Sequence, residues 1–164
     1  MLSESARATT TEEARYRVPY PNSRQRAVKV IALDKTSAKL LDELAGLEWR
    51  GARFFTASSA GSAQGDMKSW LADLAGHAMD LATEIAQSDF VVVVATTGED
   101  ARSVSVIAEL CALNHKSLIA LIVPRNGDEE AVVSSLKQLR PYARMLVVTQ
   151  GRDYVETMLT ALRA

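Results

Sequence analysis

Two short polar segments of this 164-residue chain carry side chains able to hold a ligand. One is Asp34-Lys35-Thr36-Ser37, directly after the apolar run Val28–Leu33. The other is Thr96-Thr97-Gly98-Glu99-Asp100-Ala101-Arg102-Ser103, directly after the apolar run Phe90–Ala95. The hydroxyls of Thr36, Ser37, Thr96 and Thr97 can hydrogen-bond a polar or phosphorylated small molecule, and Lys35 and Arg102 can meet its anionic groups. Glu99 can accept from a sugar hydroxyl or offer carboxylate oxygens to a cation. The same residues also have a plainer use: Ser37, Asp100 and Ser103 are helix-capping types, and Gly98 suits a turn. No general base stands beside a nucleophile, so no catalytic residue is assigned. The sequence singles out no cofactor.

Strands and helices must alternate to place these segments. Val28–Leu33 reads as a strand, and apolar residues at helical spacing from Ser37 to Leu44 end near Gly46. Arg53–Thr56 is a second strand, followed by a small-residue loop, Ser58 to Gly65. Trp70-Leu71-Ala72 fits either a short third strand or a helical turn. Leu74, Ala78, Leu81, Ala82 and Ile85 predict a helix leading into the strand Phe90–Ala95. A helix follows over Val104–Leu113, with Val106, Ile107, Leu110 and Leu113 as its core face. Ser117–Val123 is a strand, Arg125-Asn126-Gly127-Asp128 a turn, and Glu129–Leu139 a helix closed by Pro141. Met145–Val148 and Asp153–Leu162 complete the pattern as strand and helix. Such alternation predicts βαβ units in one α/β domain over 27–164, a three-layer Rossmann-like fold with a mostly parallel sheet. Residues 1–26 read as a polar arm whose Tyr16, Val18 and Tyr20 could dock on the domain or a neighbouring subunit. In a doubly wound order the first strand and the Phe90 strand are neighbours at the topological switch point. The loops at 34–37 and 96–103 would then face each other across the crevice where such sheets bind ligands.

The order of elements resembles the nucleotide-binding half of the FtsZ/tubulin family. Val28–Leu33 and Gly51–Ala57 are similar to its first two strands, and Ala86–Val93 to the strand entering its glycine-rich signature loop. Val106–Leu110, Lys116–Val123 and Leu136–Val148 resemble the elements that follow. The resemblance, over about residues 27–151, implies the nucleotide-binding fold. The chemistry departs from it: Asp34–Ser37 lacks the family's glycines, and the second loop has only Gly98, edged by Glu99 and Asp100. Backbone approaches phosphate closely only where side chains are absent, and two carboxylates repel an anion, so GTP hydrolysis is not expected. Thr97-Gly98-Glu99 is similar to the hydroxyl-bearing loop of SIS-type sugar-phosphate domains, which implies an alternative, a sugar-phosphate- or nucleotide-dependent enzyme or regulator. The expectation is a non-catalytic small-ligand-binding or assembly module, homo-oligomeric.

Other chemistry-bearing residues have simpler readings. Asp73, His77 and Asp80 lie at i, i+4 and i+7 of the predicted helix from Leu74, where a solvated charged face is expected rather than a metal site. His115 suits a helix C-terminus, and Cys111 a packed, inert thiol. Trp49 either closes a helix end or sits in a subunit contact. A formal net charge of -1 offers no general attraction to nucleic acid, and Arg50, Arg53, Arg140 and Arg144 form no run with interleaved aromatics. No apolar run reaches the roughly 20 residues that span a bilayer. The single cysteine and the lack of a signal pattern point to the cytoplasm, with no membrane or nucleic-acid partner.

Overall fold

The central strands of the sheet are buried on both faces, as the unbroken apolar runs require. A computed structural model describes residues 25–57, 71–73, 75, 77–125 and 127–164. In chain order the elements are β1 (Val28–Ala32), α1 (Lys35–Ala45), β2 (Ala52–Ala57), β3 (Leu71–Asp73), β4 (Ala78–Met79), α2 (Leu81–Ala86), β5 (Phe90–Thr96), α3 (Val104–Leu113), β6 (Ser117–Val123), α4 (Glu129–Leu139), β7 (Met145–Val148) and α5 (Arg152–Ala161). They form a seven-stranded sheet of order β4-β3-β2-β1-β5-β6-β7. β2, β1, β5, β6 and β7 run parallel, while β3 and β4 are antiparallel additions at one edge. This is the three-layer, Rossmann-like α/β fold that the alternation predicts.

Two cores sandwich the sheet because side chains alternate along each strand. Val28, Val30, Ala32, Phe90, Val92, Val94, Ile119 and Leu121 face one side, where Leu41 and Leu44 of α1 and Val155 and Leu159 of α5 cover them. Ile31, Val91, Val93, Leu118, Ala120 and Ile122 face the other, under Ile85 of α2, Ile107 of α3 and Leu139 of α4. Trp49 closes the end of α1: its indole N–H donates to the Leu44 carbonyl at 2.7 Å and its ring meets Phe54 edge-on. At Gly51 the chains pass so closely that a Cβ would stand 2.1 Å from the Arg26 carbonyl oxygen.

Three expectations need correction. Leu71–Asp73 takes the strand option of the two left open there, and the helix expected over Leu74 to Ile85 is shorter: Ala78–Met79 pairs back onto β3, and α2 starts only at Leu81. Asp73, His77 and Asp80 therefore share no helix face. Asp73 ends β3 and receives the His77 backbone N–H, which with the His77 ring holds its carboxyl below the ordinary carboxylate value. Asp80 caps α2 by accepting from the Thr83 N–H. The core face of α3 is Val104, Ile107 and Cys111, flanked by partly buried Val106 and Leu110, whereas Leu113 in its last turn is 70% exposed. The arm to residue 24, the loop Ser58 to Gly65 and Trp70 lie outside the described residues.

One buried feature has no apolar signature. Lys29, in the middle of β1, points toward the α2 face and its ammonium donates to Glu84 of α2 at 2.8 Å, both side chains being 6% exposed. Arg53 reaches the same carboxylate from the surface at 3.2 Å, and both cations lie over the Phe55 ring.

Candidate functional site

Parallel pairing of β1 with β5 brings the two polar loops together at the carboxyl end of the sheet. The ladder runs one residue past β1, where the Leu33 N–H donates to the Val94 carbonyl. Asp34 follows at once, and its carboxylate spans the crevice. Oδ2 accepts from the Thr96 N–H at 2.7 Å, and Oδ1 accepts from the Ser37 N–H at 2.7 Å. Asp34 is thus the N-cap of α1 and Ser37 its reciprocal partner in a capping box, the Ser37 hydroxyl accepting from the Asp34 N–H. Short bonds from N–H groups to an ionised carboxylate are of the strong, charge-assisted kind. Helix N-termini in such crevices commonly bind an anion, and here the anion is the protein's own side chain.

The second loop is tied down in the same manner. Thr96 and Thr97 are buried. The Thr97 hydroxyl oxygen accepts from the Arg125 N–H at 2.8 Å, and the Thr97 N–H donates to the Val123 carbonyl. Gly98 makes the turn with φ of +80°, a conformation that side chains resist. Glu99 meets the Arg125 guanidinium at 3.4 Å. Asp100 receives both the backbone N–H and the guanidinium of Arg102, and the guanidinium holds its carboxyl below the ordinary value. Ser103 occupies the N-cap position of α3 without a side-chain capping bond, so the expected capping role falls short there.

The structure therefore brings Asp34, Ser37 and Thr96 together as a hydrogen-bonded set, with Thr97 next along the chain bonded instead to Val123 and Arg125. Lys35 and Thr36 are exposed on the first turn of α1, and Gly98 and Arg102 are exposed on the opposite loop. Arg125 was not among the residues singled out by sequence. Its signal lay in β5–β6 pairing, which sets Thr96 opposite Val123 and so brings the residues after both strands into contact. Among the described residues, no group of three or more His, Cys, Asp or Glu side chains is placed to hold a metal ion. None of the helices there is long and apolar enough to cross a membrane. Cys111 is buried in the core, and burial pushes its thiol up to about 11. Compared with known proteins, the sequence matches no protein-family model and no curated protein at a significant level.

Proposed function

We propose that this chain is a non-catalytic binding or assembly module, a reduced relative of the FtsZ/tubulin nucleotide-binding fold whose phosphate site is filled from within. The observation that carries the reading is the Asp34 carboxylate, which takes the Ser37 and Thr96 N–H groups that would otherwise face a ligand. A phosphate entering there would meet a fixed negative charge rather than free donors, while Glu99 and Asp100 are already paired with Arg125 and Arg102. The glycines of a nucleotide cradle are missing from both loops, in keeping with the same reading. What the crevice retains for a small polar ligand is its exposed rim of Lys35, Thr36 and Arg102.

The sugar-phosphate alternative draws on the buried Thr97, but its hydroxyl already accepts the Arg125 N–H. A thermal-shift series with GTP and magnesium, GDP, and hexose phosphates separates the readings, because a ligand at a hundred times its Kd stabilises by about 2.7 kcal/mol. The expected result is no rise in melting temperature with any of them. A rise with GTP accompanied by hydrolysis would establish a working nucleotide site. A rise with a hexose phosphate that Thr97→Val abolishes would establish the alternative.

A further inference from the structure

The opposite end of the sheet holds a cavity of about 930 Å³, at the feet of β5, β6 and β7. Its origin is a stagger in the sheet: Phe90 pairs with Ser117, but β7 begins only at Met145, opposite Ile119. On the β7 side the last rung is the Arg144 N–H donating to the Leu118 carbonyl, so Ser117 has a strand partner only in β5, and Leu162, just past the end of α5, stands beside that step. Phe90, Ile119 and Leu162 belong to the core on the α5 side, so they give the cavity an apolar patch continuous with that core, beside the polar Ser117.

The rim is cationic. Arg26 lays its guanidinium over the Phe90 ring, 5.9 Å from the centroid, and Arg144 enters from the start of β7. Asp89 is the one carboxylate among the described lining residues, and it accepts the Ala27 N–H at 2.8 Å, a bond that fastens the start of β1 to β5. Two guanidiniums beside the apolar patch of Phe90, Ile119, Met145 and Leu162 suit a ligand with one anionic group and a flat or flexible apolar body. The volume lies within the range of small-molecule sites, about 300–1,000 Å³. An inorganic anion would leave the patch uncovered, and a polynucleotide would meet only two cations.

We infer that this cavity is a binding site for a small amphipathic organic anion, a carboxylate or sulfonate with an apolar body. The site lies about 20 Å from Asp34, the length of the seven-residue strand β5 at roughly 3.3 Å per residue. It is independent of the crevice and of the function proposed for it.

The test uses the full chain and the fluorescent probe 1-anilinonaphthalene-8-sulfonate, a sulfonate on an aromatic body. Titration is expected to give one saturable site per chain. Arg144→Glu reverses a rim charge on an exposed side chain and is expected to weaken binding at least tenfold, while leaving the far-ultraviolet circular dichroism unchanged. Arg125→Glu, at the other end of the sheet, serves as the control and is expected to leave the affinity as it was. Non-saturable fluorescence, a stoichiometry other than one, or equal affinity in the Arg144→Glu variant would overturn the assignment.

Discussion

Asp34 decides the chemistry of the crevice. Its two oxygens serve one N–H each on two different elements, so removing the carboxylate orphans both donors at once. Loss of an N-cap costs about 1 kcal/mol, and a buried unpaired N–H adds roughly 1–3 kcal/mol. Asp34→Ala is therefore expected to lower unfolding stability by about 2–4 kcal/mol in a urea titration. Asp34→Asn, which keeps one acceptor oxygen, should recover about half of that loss. The residue types point to Ser37 as the cap, whereas Asp34 holds that position and Ser37 is its reciprocal partner; the bond to the Thr96 N–H was not legible either, because it depends on a partner 62 residues away. Cys111 offers a second test at this scale. Its thiol is raised to about 11 from an ordinary 9.0, so the unfolded chain ionises first as pH climbs. Stability from this group is complete below pH 9 and is lost between 9 and 11. The Cys111→Ala variant should lack that part of the alkaline decline when denaturant midpoints are compared across the range.

At the scale of elements, the strands were legible and the region around α2 was not. Val28, Phe90 and Ser117 each open an apolar run too strong to misplace, and Glu129–Leu139 carries its own start signal in Asp128 and two acidic residues. Leu74, Ala78, Leu81 and Ile85 happen to repeat at helical spacing. The two-residue β4 instead pairs with β3, because the edge of β2 offers a ladder that no local pattern records. Lys29 was equally hidden, since a strand with a lysine reads as half-exposed until Glu84 is found across from it. That pair makes a sharp prediction. Glu84→Gln strips the buried Lys29 ammonium of its counter-charge and should cost about 3–5 kcal/mol, whereas the double change Lys29→Met with Glu84→Leu should be close to neutral. Arg53→Ala should cost under about 1 kcal/mol, since that side chain is 52% exposed. Gly51→Ala is expected to be among the most damaging surface changes, because its methyl group would collide with the Arg26 backbone where β1 begins. Chemical denaturation of these variants reads all four outcomes.

The described residues form a mostly parallel sheet whose switch point lies between β1 and β5, with α1 and α5 on one face and α2, α3 and α4 on the other. Alternating strands and helices were enough to place the loops of Asp34 and Thr96 opposite each other before any contact was known. What alternation could not say was whether the crevice between them is open to a ligand. That depends on which donors are already taken, and Asp34, Thr97 and Arg125 take or supply them within the chain. Position marks where a binding site can be built, while the hydrogen-bond accounts of individual groups decide whether one remains. The most direct measurement follows the backbone amides themselves, by nuclear magnetic resonance, as GTP with magnesium is titrated into the labelled protein. The amide resonances of Ser37 and Thr96 are predicted to stay where they are at millimolar nucleotide, because both donors remain bonded to Asp34. Saturable shifts concentrated on Ser37, Thr96 and Gly98 would contradict the account and show a phosphate site open at the head of the sheet.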